Sequence, residues 1–165
     1  IDSELLNNPN LNASINIKID KIDKFEYLQD FISKIHLGDG RILMKNFNTK
    51  WNDAVIIKSN EIEFLNDIDG KKLVGEIIFN FEDIEKFFRY FQIKRNYRDV
   101  FETVRLDFVY DLTIDKFTMN NLKIDNKSFK NIDKFLSQYN KSEKNSFNKV
   151  TIRNFIKEFF QIYAG

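Results

Sequence analysis

The feature that most restricts the fold of this chain is a strict two-residue alternation near its start. In the segment LNASINIKID (residues 11–20), polar residues separate every pair of apolar ones. The apolar phase contains Leu11, Ala13, Ile15, Ile17 and Ile19. Because successive side chains of a strand point to opposite faces, this pattern predicts a strand with one buried face and one solvated face.

The alternation returns further along the chain at a constant offset. The segment INIKIDKIDKF, which begins at Ile15, corresponds to IIFNFEDIEKF, which begins at Ile77. Self-similarity at a fixed period is typical of repeat architectures. We therefore predict two equivalent β-rich units, residues 11–65 and 73–125, each built as strand, short helix and two hairpin-linked strands.

Helical and strand periodicities alternate along the rest of the chain. Apolar residues at helical spacing predict helices at 24–35, 82–93, 129–138 and 147–162. Two-residue alternation predicts strands at 11–20, 41–51, 54–65, 72–81, 101–112 and 116–125. In the last of these strands the apolar phase changes, which predicts a β-bulge at Asn120–Asn121. The predicted fold class is β-dominated α+β, with a curved, mainly antiparallel sheet, an apolar concave face and a C-terminal capping helix.

The predicted organisation has three parts. Residues 1–10 resemble a linker or an interior cut, because they lack the basic and apolar regions of a signal peptide. Residues 11–140 hold the two units with a trailing helix, and residues 141–165 hold a linker and an amphipathic helix. The expectation is a piece of a longer protein, with any membrane anchor upstream.

Composition argues against several classes of function. The net charge is +1, from 26 basic and 25 acidic residues, so the chain has no strong field to attract a nucleic acid. The basic segment KRNYR (94–98) is accordingly interpreted as a solvated loop. There is no cysteine, and His36 is the only histidine, here interpreted as a surface or helix-end residue. We expect no enzyme activity, no catalytic residues, no metal site, no cofactor and no nucleic-acid partner.

The candidate site is the apolar face of the predicted strands. Its proposed lining comprises Ile15, Ile17, Ile19, Ile77, Phe79, Phe81, Leu106, Phe108 and Tyr110. Two interpretations stay open at this point. The face is either a groove for an acyl chain or another apolar partner, partly open at its N-terminal end, or an ordinary core covered by the chain's own helices.

Two stretches resemble the C-terminal region of bacterial AsmA-like proteins. They are FFRYFQIKRNYRDVFETVRLDFVYDLTIDKFTMNNLKIDN (87–126) and the closing NKVTIRNFIKEFFQIYAG (148–165). The resemblance implies a non-enzymatic periplasmic module of a Gram-negative bacterium, anchored in the inner membrane through a preceding region. It also implies a curled sheet with an apolar groove that takes part in outer-membrane assembly and lipid transport. The implied partner is a phospholipid or other acyl-chain lipid, and envelope protein partners stay open. The alternative is a structural or protein-interaction β-domain of a cell-envelope protein with no lipid ligand.

Overall fold

A computed structural model describes residues 11–21, 27–67, 70–142 and 148–165 of the chain. They form one open, antiparallel seven-stranded sheet whose strands lie side by side in chain order. The strands are β1 (Ala13–Lys21), β2 (Leu28–Gly38), β3 (Arg41–Trp51), β4 (Val55–Asp67), β5 (Gly70–Phe81), β6 (Thr103–Asp111) and β7 (Lys116–Ile124). The helices are α1 (Ile84–Phe91), α2 (Lys130–Lys141) and α3 (Lys149–Tyr163). The fold is therefore β-dominated α+β.

Short turns explain why neighbouring strands are antiparallel. Between β2 and β3, Asp39 and Gly40 both have positive φ, at 52° and 71°. Two such residues make the tight turn whose twist matches a right-handed hairpin. The β5–β6 connection differs, because α1 and a 3-10 turn at Arg95–Tyr97 lie between these two strands.

Side-chain caps define where two of the helices begin. The Asp83 carboxylate accepts a hydrogen bond from the Lys86 N–H at 2.7 Å, at the start of α1. The Asn148 side-chain oxygen accepts from the N–H groups of Val150 and Thr151, both at 3.0 Å, at the start of α3. Such caps satisfy N–H groups that have no partner within the helix.

The strand register aligns two rows of residues across all seven strands. Residues directly opposite each other in antiparallel pairs lie on the same face of a sheet. One row is Ile15, Ile35, Met44, Ile62, Gly75, Phe108 and Met119. The next row is Ala13, Leu37, Ile42, Phe64, Leu73, Tyr110 and Phe117. We call the side of the sheet that carries both rows the apolar face.

Several β-bulges keep apolar side chains on this face. The β6–β7 register shifts between Arg105 and Asp107, where Asn121 has a φ of 50°. This confirms the bulge predicted at Asn120–Asn121. Asp30 in β2 and Asn46 in β3, with φ of 52° and 53°, lie at two further register shifts.

The helices pack over the second half of the sheet and form the main core with it. Phe160 of α3 lies with its ring centroid 5.1 Å from that of Phe88 in α1 and 5.7 Å from that of Phe101 before β6. Phe155 of α3 stacks on Phe135 of α2 at 5.3 Å. The apolar side chains of β6 and β7 complete this cluster.

Three of the four predicted helices are confirmed, and one is wrong. The predictions at 82–93, 129–138 and 147–162 correspond to α1, α2 and α3. The helix predicted at 24–35 is wrong over residues 28–35, which belong to strand β2. Residues 24–26 lie outside the described residues. A bulge at Asp30 interrupts the two-residue alternation of β2. As a result, the apolar residues of this segment are spaced in a way that also suits a helix.

The structure does not confirm the predicted repeat. In the first unit, β2 lies between β1 and β3, which therefore run in the same direction. Their counterparts by sequence, β5 and β6, are adjacent and antiparallel. Residues 1–10 lie outside the described part of the chain, and the concavity of the apolar face stays a prediction.

Candidate functional site

The register brings all nine predicted lining residues to the apolar face. Ile15, Ile17 and Ile19 alternate along β1, and Ile15 begins the row that reaches Phe108. In β5 and β6, Ile77 lies opposite Leu106. The remaining residues, Phe79, Phe81 and Tyr110, are in the same alternation phase. The helices then divide these nine residues into two groups.

Six of the nine lie under or beside the helices. Leu106 and Phe108 are buried in the core. The other four are partly buried and pack against that core: Ile77, Phe79, Phe81 and Tyr110. Together they form the covered half of the apolar face.

The three residues of β1 have a different environment. Ile15 is 53% exposed and Ile19 is 39% exposed, while Ile17 is half-buried. In the described part of the chain, β1 pairs with β2 alone and forms one edge of the sheet. Within these residues the apolar face is therefore least covered at the β1 edge.

Strand β2 supplies apolar residues that the sequence analysis missed. Phe31, Ile35 and Leu37 lie opposite Ile19, Ile15 and Ala13 on the apolar face. They were overlooked because this segment was predicted to be helical. Residues 31, 33, 35 and 37 follow the two-residue alternation of a strand. Because Ser33 is polar, the apolar pattern is interrupted at that position and the alternation is not evident from the sequence.

We call the exposed and half-buried part of the apolar face the open half. Its members are Ile15, Ile17, Ile19, Phe31, Ile35, Leu37, Ile42 and Phe47. The rings of Phe31 and Phe47 meet edge to face with centroids 5.4 Å apart. None of the eight belongs to the core cluster beneath the helices. The result is an apolar surface that crosses three strands.

Three buried side-chain hydroxyl groups lie on the apolar face, within the open half or directly beside it. Ser33 Oγ donates to the Lys45 carbonyl at 3.2 Å, and Thr49 Oγ1 donates to the Gln29 carbonyl at 2.9 Å. Ser59 Oγ donates to the Glu61 carbonyl at 3.2 Å. Because their hydrogens are already used by the backbone, these side chains can underlie an apolar ligand without losing a partner.

The opposite face of the sheet carries ion pairs interspersed with apolar side chains such as Leu43, Ile56 and Ile78. Arg41 Nε lies 2.6 Å from Glu63 Oε1 across β3 and β4, and Arg105 approaches Glu76 at 3.5 Å across β5 and β6. Lys45 lies 3.5 Å from Glu61. Cross-strand ion pairs of this kind are typical of a solvated face.

An aromatic cluster closes one end of the open half. The ring of Trp51 at the end of β3 lies 4.7 Å from the ring of Tyr90 in α1 and 6.5 Å from that of Tyr27. The rings of Tyr27 and Tyr90 are 4.9 Å apart. Two cations of α3 approach the cluster: Lys149 Nζ lies 5.7 Å from the centroid of the Tyr27 ring, and Arg153 acts electrostatically on Tyr90.

Burial and a hydrogen bond with Tyr27 raise the pKa of Tyr90 to about 12, against the opposing effect of the Arg153 charge. The Tyr90 hydroxyl therefore stays protonated at neutral pH. It remains a hydrogen-bond donor next to two cations.

The described residues contain no group of three histidine, cysteine, aspartate or glutamate side chains suited to a metal ion. His36 lies in β2 and faces Ser14 across the strand pair, with its Nδ1 3.2 Å from Ser14 Oγ. Its predicted location at a helix end is therefore wrong. None of the helices in the described ranges has the length and apolar composition needed to cross a membrane.

Comparison of the chain with protein-family models, with curated proteins and with solved structures gives no match. The site is therefore interpreted from its own geometry.

Proposed function

We propose that this chain is a non-enzymatic module that holds or passes the acyl chains of phospholipids along the open half of its apolar face. The observation that carries the proposal is the uneven cover of that face. Apolar residues continue across all seven strands, yet the helices pack over the second half of the sheet. Large exposed apolar surfaces on proteins commonly mark interaction sites.

The physical basis of binding is removal of the chain's methylene groups from water. Each buried CH₂ contributes about 0.8 kcal/mol. An apolar surface with similar side chains along its length holds such a chain at many positions with little difference in free energy. This supports a role in passing lipids as well as in holding them.

The resemblance to AsmA-like proteins gives the proposal a cellular setting. We place the module in the periplasm of a Gram-negative bacterium, as part of an inner-membrane-anchored protein that serves outer-membrane assembly. No step of this function requires a cofactor, since the proposed binding depends on apolar burial.

The outer edge of β1, which pairs with no other strand in the described part of the chain, favours a second candidate, a structural or protein-interaction domain. An edge strand presents unpaired N–H and C=O groups to which another strand can bind. In that case Ile15 and Ile19 would be covered by a protein strand and no lipid would be held.

Native mass spectrometry of the protein purified from a lipid-containing bacterial host tests the proposal. We expect phospholipid bound to the wild type, and loss of that lipid in the double variant Ile15→Asp/Ile19→Asp, because charges in the apolar path are costly to desolvate. Both positions are exposed, so the variant is expected to fold. Asn16→Asp on the opposite face of β1 is the matched control and should retain lipid. A wild type that carries no lipid, beside a control transfer protein that does, would contradict the proposal.

A further inference from the structure

We infer that Lys149 and Arg153, together with the hydroxyl groups of Tyr27 and Tyr90, bind the phosphate of a phospholipid headgroup at the end of the open half. The inference rests on the proposed function, because it assigns a site to the polar end of the lipid whose acyl chains lie on the apolar face.

The first argument is that two cations have no ion-pair partner among the described residues. Lys149 and Arg153 lie one turn apart on α3, and neither forms an ion pair within the described ranges of the chain. Arg153 Nε is the one buried side-chain nitrogen or oxygen there without a hydrogen-bond partner. By contrast, Arg98 at the other side of α1 binds Glu85 at 3.2 Å. Buried or partly buried guanidinium groups normally have a partner, and an anionic ligand would supply one to Arg153.

The second argument is the chemistry of the surrounding groups. Lys149 contributes an ammonium, Arg153 a guanidinium, and Tyr27 and Tyr90 two phenol groups, and each of these can donate a hydrogen bond. A phosphate offers several negatively charged acceptor oxygens, which lysine and arginine side chains bind strongly.

The third argument is the position of the cluster relative to the open half. Leu28 pairs with Trp51 at the end of β2 and β3, next to both tyrosines. From Trp51, β3 extends along the apolar face to Ile42, about 30 Å at ~3.3 Å per residue. A phospholipid whose phosphate lies at the cluster would thus have its acyl chain directed past Phe47 toward Ile42. Tyrosine and tryptophan suit such a boundary, since each has an apolar ring and a polar tip.

Trp51 makes the site measurable, because it is the only tryptophan and its ring contacts Tyr90. We would titrate the full chain with dihexanoyl phosphatidylglycerol, with uncharged dihexanoylglycerol and with inorganic phosphate, and follow Trp51 fluorescence. The test variant is Lys149→Gln/Arg153→Gln. The control variant, Lys130→Gln/Lys134→Gln, removes two charges at the same spacing from exposed positions of α2.

We expect the test variant to bind phosphatidylglycerol at least tenfold more weakly than the wild type, with unchanged binding of dihexanoylglycerol. The control variant should match the wild type for both lipids. Tyr90→Phe keeps the ring contacts and removes one donor, so it should weaken phosphatidylglycerol binding several-fold. It also provides a second test if the double variant melts early by circular dichroism.

The outcomes separate this inference from the proposed function. Equal binding of both lipids, unaffected by the test variant or by Tyr90→Phe, would overturn the phosphate site and leave the acyl-chain surface in place. Binding of inorganic phosphate that the test variant abolishes, without binding of either lipid, would support an anion site and contradict the proposed function. If none of the three probes binds the wild type, both are overturned.

Discussion

Asn140 of α2 binds both backbone polar groups of Met119 in β7. The Met119 N–H donates to Asn140 Oδ1 at 3.0 Å, and Asn140 Nδ2 donates to the Met119 carbonyl at 2.7 Å. Because β7 is an edge of the sheet that the described residues form, no other strand of that sheet pairs with these two backbone groups. The amide of Asn140 takes the place of one, and it fixes α2 against the edge.

Replacing this amide should destabilise the protein. We expect Asn140→Ala to lower the free energy of unfolding by about 1–3 kcal/mol, since it leaves two partly buried backbone groups without partners. Urea denaturation measures the change. Gln138→Ala, at an exposed position of the same helix, should alter stability by less than about 0.5 kcal/mol. Equal effects of the two variants would contradict a special role for Asn140.

Phe160 should be among the most costly residues to truncate. Its side chain is 2% exposed and contacts the rings of Phe88 and Phe101. We expect Phe160→Ala to cost about 3–5 kcal/mol, from lost burial and the cavity left behind. The same urea titration measures this, and Val150→Ala on the exposed side of α3 is the control. A loss below about 1 kcal/mol would show that α3 contributes little to the core.

Gly75 should not tolerate a side chain. A Cβ at this position would lie 2.9 Å from the Glu61 carbonyl oxygen and 3.1 Å from Ile62 Cγ1, next to the register shift in β4. We expect Gly75→Ala to lower the free energy of unfolding by about 1–3 kcal/mol through overpacking. Thermal unfolding followed by circular dichroism measures it, and an unchanged midpoint would contradict the close approach of β4 and β5.

The Arg41–Glu63 pair should make stability depend on pH in the acid range. The hydrogen bond from Arg41 holds the pKa of Glu63 below the ordinary glutamate value of 4.5. A depressed folded-state pKa stabilises the protein above pH 4.5, and the contribution is lost as the pH falls below that value and through the folded-state pKa. Glu63→Gln should therefore be less stable than the wild type at pH 7.

The difference between Glu63→Gln and the wild type should shrink as the pH falls through the folded-state pKa of Glu63, because the wild-type carboxyl then becomes protonated as well. Denaturant titrations at several pH values measure this. Glu102→Gln, at an exposed position, is the control and should show no such trend. A constant difference at every pH would mean that the variant acts through packing.

Much of the candidate site could be predicted from alternation alone. Ile15, Phe79 and Leu106 were assigned to a common face, and the register places them there. Alternation has a period of two in every strand, so it identifies a face without knowledge of the strand's neighbours. It does not identify what covers the face, because cover depends on where α1, α2 and α3 pack. Which part of the apolar face remains uncovered was therefore decided by the tertiary structure.

The sequence by itself determined the strands that follow a clean alternation, such as β6, and the three helices with an uninterrupted apolar stripe. These elements show one periodicity throughout, so local pattern and final fold agree. It also determined the bulge near Asn121, because the apolar phase changes there. Only the tertiary structure decided the conformation of residues 28–35. The spacing of Phe31 and Ile35 suits a helix as well as a bulged strand, and pairing with both β1 and β3 supplies the hydrogen bonds that stabilise the strand.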